Sequence, residues 1–294
     1  MKKLLLILIV FSLIFSLTSC FESEEHVQEA ADLFASFEHN TNYVLLTHFE
    51  LVISDKHYDR SEILYNGKLS NIVFLEQDGF YSYTYDEETF YVEFLYTTYE
   101  NFETEAIGSL RLPDKLVGVT WARGIYWLTV DDPTTDKFKR IYYCWDVETK
   151  SSDIKQDFFI PEQHYLYDSD NFRSEDYTIL YDPKFFSLDD DLEITHNASG
   201  LTKKITKSTL DSFAEGKLIK ACKSTTTFYP DQVYIVGDDF YIACVFGVES
   251  WTTRYYCYYI FKWNFNTEES SFFTAVHFDD YQEWIDDMII LKQD

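Results

Sequence analysis

Tyr81, Tyr83 and Tyr85 alternate with Ser82 and Thr84, the two-residue period of a strand with one face buried. The same period recurs along the chain. Ile125, Trp127 and Thr129 alternate with Tyr126, Leu128 and Val130, while Ile141, Tyr143, Trp145 and Val147 share one face. Tyr255, Cys257, Tyr259, Phe261, Trp263 and Phe265 share another. Turn-forming residues separate the runs at Asn66-Gly67, Asp78-Gly79, Asp131-Asp132-Pro133, Asp182-Pro183 and Gly237-Asp238-Asp239. The pattern predicts an all-β region from about Asn42 onward. Ahead of it, residues 21–40 are acidic and carry no strand pattern. Val27, Ala30, Ala31 and Phe34 fall there at helical spacing, which predicts a short N-terminal helix or a tether. One further helix is expected where Ser208 precedes Asp211 in the manner of a capping box, with Gly216 as its stop.

The strand runs repeat. Tyr143-Cys144-Trp145-Asp146-Val147-Glu148-Thr149 has a counterpart in Phe261-Lys262-Trp263-Asn264-Phe265-Asn266-Thr267, each followed by a Ser-Ser pair. Upstream lie shorter elements of one type: Asp78-Gly79-Phe80-Tyr81, Gly124-Ile125-Tyr126-Trp127, Lys184-Phe185-Phe186-Ser187 and Asp239-Phe240-Tyr241-Ile242. An aromatic strand that ends in Trp-Asp or Trp-Asn before a polar turn with Thr resembles a blade element of β-propellers. The spacing of the aromatic positions 81, 126, 186 and 241, with a start near Tyr43, gives a β-propeller of five or six irregular blades. A large β-sandwich or an open barrel would give a similar succession of short strands and turns. The resemblance is diffuse and carries no residue roles across.

The first twenty residues are of a different kind. Lys2 and Lys3 precede an apolar run from Leu4 to Leu17, shorter than the roughly 20 residues a membrane-spanning helix needs. An uncleaved anchor helix is the plain alternative to a signal peptide. Leu17-Thr18-Ser19-Cys20 resembles the lipobox of bacterial lipoproteins. The resemblance implies removal of residues 1–19, a diacylglycerol thioether on Cys20 and acylation of the new amino terminus. Several acyl chains together anchor stably where one does not. The expected organisation is a signal peptide over 1–19, a lipidated tether over 20–41 and a single all-β domain over 42–294. The expected location is the extracytoplasmic face of the bacterial cell envelope. Phe21 in place of aspartate leaves the outer membrane open in an envelope with two membranes.

Charge narrows the partners. The chain carries 24 Lys and Arg against 51 Asp and Glu, a net charge of −27, and loss of Lys2 and Lys3 makes it about −29. That balance opposes nucleic acid and anionic lipid. One stretch runs against it. Lys203, Lys204, Lys207, Lys217, Lys220 and Lys223 face only Asp211 and Glu215 across that interval. They form a candidate docking patch for an acidic partner or envelope polymer, or a solvated helix with its flanking loops.

Motifs for chemistry are absent: no HExxH, GxSxG, phosphate-binding glycine loop or GxGxxG occurs. The Asp-box of sialidase-type propellers does not occur either. Ser152-Asp153-Ile154-Lys155 matches SxxK without its partner motifs. The seven histidines lack second ligands at metal spacing, and no metal or cofactor is expected. Paired acids at Asp131-Asp132, Asp189-Asp190-Asp191, Asp238-Asp239, Asp279-Asp280 and Asp286-Asp287 read as solvated turn carboxylates. Asp168-Ser169-Asp170 opens a calcium-loop pattern that Phe172 breaks. Cys144, Cys222, Cys244 and Cys257 allow three disulfide pairings or buried free thiols.

Aromatic residues make up 19% of the chain, enough to form either a core or a broad contact surface. The function expected is a lipid-anchored binding or scaffold module that engages an envelope protein or glycan without catalysis. An exported carboxylate-dependent hydrolase acting on polysaccharide is the main alternative. A solute-binding lipoprotein of a transporter ranks last, because its strands would alternate with helices.

Overall fold

A computed structural model describes residues 39–122, 124–131, 140–155, 176–181, 192–206, 226–249, 254–277 and 285–292, with isolated positions at 32, 35, 36, 208 and 209. Its strands in chain order are β1 (Tyr43–Thr47), β2 (Glu50–Ile53), β3 (Lys56–Asp59), β4 (Leu64–Tyr65), β5 (Lys68–Leu69), β6 (Asn71–Leu75) and β7 (Gly79–Asp86). There follow β8 (Tyr91–Thr98), β9 (Thr104–Arg111), β10 (Leu116–Ala122), β11 (Ile125–Asp131), β12 (Arg140–Asp146), β13 (Ser151–Lys155) and β14 (Tyr177–Tyr181). The last are β15 (Leu192–His196), β16 (Leu201–Ile205), β17 (Thr226–Val236), β18 (Asp239–Glu249), β19 (Arg254–Asn264), β20 (Ser270–His277) and β21 (Ile285–Ile290). They form antiparallel sheets ordered β21-β1-β2-β3, β6-β7-β8-β9, β10-β11-β12-β13, β14-β15-β16 and β17-β18-β19-β20, with β4 and β5 as a separate hairpin. Antiparallel sheets of four strands, repeated along the chain, make an all-β fold of β-propeller type. Among the described residues four sheets have four strands, one of them completed by β21, and a fifth has three. Among the same residues no helix is long and apolar enough to cross a membrane.

The chain divides into two compact units. The first comprises Thr41–Arg173 and Trp284–Asp294. Here β21 supplies the first strand of the sheet that β1 opens in sequence, pairing Tyr43 with Ile290, Val44 with Ile289 and Leu45 with Met288. All five side chains of β1 are buried. The Asp287 carboxylate, itself buried, accepts the Leu75 amide at 3.1 Å, tying β21 to β6. The Arg60 guanidinium pairs with Asp286 at 2.8 Å and donates to the carbonyls of Thr47 and Ile72. The sequence places Asp286-Asp287 in a solvated turn; the pair lies within a strand, and the buried Asp287 carboxylate accepts backbone amides. The first strands of successive sheets, β21, β6 and β10, lie side by side.

The second unit comprises Met1–Asn40 and Ser174–Glu283. Its long strand β19 is buried on both faces, for Tyr258, Tyr259, Ile260 and Phe261 are all shielded from solvent. Tyr177 donates to Asp238, and Asn266 donates to the same carboxylate at 2.6 Å, joining the sheet of β14–β16 to that of β17–β20. Where a helix is predicted at Ser208, the Thr206 hydroxyl accepts the Thr209 amide at 3.1 Å, while the Thr206 amide donates to the Thr209 hydroxyl at 3.3 Å, a reciprocal pair of capping-box type. Asp211 and Gly216 lie outside the described residues, as do nearly all of the expected helix or tether over 21–40 and the element at 184–187.

The two Trp-Asp and Trp-Asn segments occupy equivalent places, at the turn from third to fourth strand in their sheets. Asp146 accepts the Thr149 amide at 2.8 Å, and Asn264 accepts the Asn266 and Thr267 amides at 3.0 Å. The residue four places on, Lys150 or Glu268, takes a positive φ. The same device recurs without tryptophan. Asp86 accepts the Glu88 and Thr89 amides, with Phe90 at positive φ. His196-to-Gly200 and Thr98-to-Phe102 close alike, each through the fifth residue's amide onto the first residue's carbonyl. The hydrogen bond from Lys68, with that from the Thr89 amide, holds the Asp86 carboxyl down to about 2.

Cys144 and Cys244 are buried free thiols, which removes every pairing that uses either one. Cys222 lies outside the described residues, as does the side chain of Cys257. Thiol alkylation under native conditions is expected to spare Cys144 and Cys244, and denaturation to expose both. Mass-spectrometric detection of either adduct on the folded protein would contradict this packing.

Candidate functional site

In the first unit, the β6–β7 turn Glu76-Gln77-Asp78 sits between Phe74 at the end of β6 and Tyr81 on β7. Phe74 and Tyr81 are register partners, so their rings project on the same face of the sheet. Trp121 of β10 lies nearly parallel to both, with ring centroids 5.0 Å from Phe74 and 4.6 Å from Tyr81. Tyr96 of β8 continues the run at 4.9 Å from Tyr81. All four rings are half-buried, unlike the fully enclosed rings beneath them. Tyr126 of β11 forms that floor: its ring meets Trp121 edge-on at 4.9 Å and its hydroxyl donates to the Ser82 carbonyl at 2.9 Å. This arrangement fixes Trp121 against the neighbouring sheet.

Two carboxylates border the rings. The Tyr96 hydroxyl donates to Asp78 at 2.6 Å. Burial, reinforced by the charges of Glu76 and Asp78, raises the Tyr81 phenol above its ordinary range. Burial and the hydrogen bond to Asp78 raise the Tyr96 phenol further. Both phenols therefore stay protonated and act as neutral donors. Gly79 permits this geometry, since a Cβ there would lie 2.8 Å from the Tyr96 ring and 2.2 Å from the Thr97 carbonyl. Among the described residues neither Glu76 nor Asp78 meets a lysine or arginine, whereas Asp86, Asp239 and Asp286 are each paired with one.

The residues singled out by sequence fall elsewhere. Cys20 lies outside the described residues, as do Lys207, Lys217, Lys220 and Lys223. Lys203 turns inward in the second unit, donating to the Phe265 carbonyl at 2.6 Å and pairing with Glu268 at 2.8 Å. Its ammonium also sits 5.1 Å from the centre of the Phe265 ring. Lys204 pairs with Glu193 at 3.1 Å. Ser152 and Lys155 occupy β13, and the Lys155 side chain lies outside the described part of the structure. His57 is engaged by Glu50 at 2.6 Å and His196 by Ser199 at 2.8 Å. No cluster of metal-ligating side chains occurs among the described residues.

The carboxyls of Asp59, Asp86 and Asp146 are each displaced downward, through hydrogen bonds from Ser61, Lys68 and the Thr149 amide respectively. None of these three is poised as a general acid near neutral pH, which needs a shift the other way. Among the side chains the structure describes, the aromatic residues are mostly buried or half-buried, and do not form the broad exposed surface considered from composition. Among the described residues the only aromatic side chains more than a third exposed are Phe49 and Tyr91. The Phe74–Trp121–Tyr81–Tyr96 run is among the half-open ones, and it is the one bordered by Glu76 and Asp78. Its turn was visible in the sequence as Asp78-Gly79, but Tyr96 and Trp121 arrive from other strands.

No family model matches the chain, and no curated protein matches it. Solved structures do match. They include TolB from Acinetobacter baumannii, at 9% identity and TM-score 0.28 over 81% of this chain and 53% of that one. The chain thus spans about half the length of the TolB structure, 53% of it. A second is the β-propeller domain of the Trilobed protease from Pyrococcus furiosus, at 10% identity and TM-score 0.29 over 83% of this chain and 86% of that one. A third is a nidogen/laminin complex chain, at 10% identity and TM-score 0.27 over 80% and 92% respectively. Likenesses of this looseness assign no residue of the site and no activity.

Proposed function

We propose that the protein is a lipid-anchored binding or scaffold module of the bacterial envelope, held on the extracytoplasmic face through Cys20 and engaging a partner without turnover. One observation carries the binding role. A half-open run of four aromatic rings is bordered by two carboxylates that have no cation partner among the described residues. Rings of this kind supply large contact area at low entropic cost, and they dominate the energetics of protein contacts. The lipobox-like Leu17-Thr18-Ser19-Cys20 supports the anchor. A lipid would hold at a membrane surface a chain whose charge alone keeps it away.

Two measurements test this. A clickable palmitate analogue is expected to label the full-length chain in a bacterial host, and Cys20→Ser is expected to abolish the label. An unlabelled wild type, or a labelled Cys20→Ser chain, removes the anchor. A photo-reactive residue at exposed position 78 is expected to give a discrete adduct in the native envelope, while the same residue at exposed position 88, at the other end of β7, gives none. No adduct from position 78, or identical adducts from both, removes the binding role.

A further inference from the structure

We infer that the Phe74–Trp121–Tyr81–Tyr96 run, with Glu76 and Asp78, receives an arginine side chain of a partner polypeptide; this rests on the binding role proposed above. Charge complementarity selects the occupant. The rings present electron-rich π systems, and a cation within about 6 Å of a ring centre is attracted to them. The Glu76 carboxylate is without an ion pair or hydrogen bond through its side chain among the described residues, and Asp78 has one oxygen bonded to Tyr96. An acid beside aromatic rings therefore offers a cation both a counter-ion and a surface to lie on. Guanidinium fits better than ammonium. It is planar, weakly hydrated and able to stack on a ring while its fork engages a carboxylate. The unpaired acids also sit on a chain of net charge −27, which draws cationic partners from a distance and repels acidic ones.

The site differs in kind from the other acids of the first unit. Asp86 is closed by Lys68 at 2.7 Å and Asp286 by Arg60 at 2.8 Å, so each already holds its cation from within the chain. Glu87 and Glu88, exposed in the turn at the far end of β7 from Asp78, serve as the comparison.

The test uses detergent-solubilised full-length protein labelled with 5-fluorotryptophan, the Trp121 resonance being assigned with Trp121→Phe. The probe is a blocked peptide of three arginines separated by glycines, compared with its lysine and glutamine versions. The arginine peptide is expected to shift the Trp121 resonance and to bind at least several-fold more tightly than the lysine peptide. Glu76→Gln with Asp78→Asn is expected to weaken it at least tenfold. Glu87→Gln with Glu88→Gln, which removes the same charge, should weaken it less than twofold. Equal losses in the two double variants, an unmoved Trp121 resonance, or equal affinity for the arginine and lysine peptides each overturn the inference. Such a failure leaves the photo-crosslink from position 78 intact, whereas failure of the binding role abolishes that crosslink.

Discussion

Removing β21 by ending the chain at Glu283 is expected to unfold the first unit. The strand carries Ile285, Met288, Ile289 and Ile290, all buried, and Met288 and Ile289 almost completely so. Burying one such side chain stabilises by about 1.5–3 kcal/mol, so four contribute roughly 6–12 kcal/mol before any hydrogen bond is counted. A whole domain is stable by only about 5–15 kcal/mol. The loss extends beyond β21. Tyr43, Val44 and Leu45 of β1 would lose their cross-strand partners, and the Leu75 amide would lose the Asp287 carboxylate. Arg60 would be left without Asp286. Hydrogen exchange should show β1 and β2 unprotected in the truncated chain, and circular dichroism should show no cooperative melt of that unit. Adding a peptide of residues 284–294 should restore part of the protection, because the strand completes a sheet and not a turn. A truncated chain with wild-type protection in β1 would refute the closure. The single substitution Ile289→Ala grades the effect, at about 2–5 kcal/mol for a side chain fully enclosed.

The acidic pair in β21 shows where sequence stops being informative. Asp286-Asp287 resembles the turn acids at Asp238-Asp239, and nothing local marks the second aspartate as buried. Its partner, the Leu75 amide, lies more than two hundred residues away. By contrast, the propeller-type repeat was legible, because its determinants are local. Each Asp or Asn accepts amides two or three residues on, so the side chain and its turn appear together in the sequence. The versions built on Asp86, His196 and Thr98 are harder to read in the sequence because they lack the tryptophan, although their turns close through the same backbone geometry. Alternation likewise gave the strands but not their burial. Reading Tyr259, Phe261 and Trp263 as one face of β19 was sound, yet Tyr258 and Ile260 on the other face are buried as well. The candidate site divides the same way. Phe74, Glu76, Asp78 and Tyr81 are neighbours in sequence, whereas Trp121 joins them only once two sheets pack.

That packing has a tight point at Gly108, and Gly108→Ala should expose it. Gly108 on β9 pairs with Phe94 on β8, and the indole of Trp145 from β12 lies over both. Trp145 and Phe94 are parallel to within 17° with centroids 4.6 Å apart. A Cβ on Gly108 would stand 2.1 Å from Cζ2 and 2.6 Å from Cε2 of that indole, well inside van der Waals contact. Neither group can yield easily, since Trp145 is buried and stacked on Phe94, which is wholly enclosed. Overpacking of a well-filled core costs about 1–3 kcal/mol, and a rigid ring against fixed backbone places this case at the upper end. For a protein of this size each kcal/mol lowers Tm by about 2–4 °C, so a fall of roughly 6–12 °C is expected by calorimetry. Trp145→Phe removes the part of the ring that Gly108 accommodates and destabilises by leaving a cavity. The two changes should then be strongly non-additive, the double variant Gly108→Ala with Trp145→Phe being more stable than the sum of the single losses requires. Additive losses would mean that the glycine serves the strand itself and not the neighbouring indole. Non-additivity would establish that the second and third sheets of the first unit are keyed together by one ring over one glycine, the same seam on which Trp121 and Tyr81 meet.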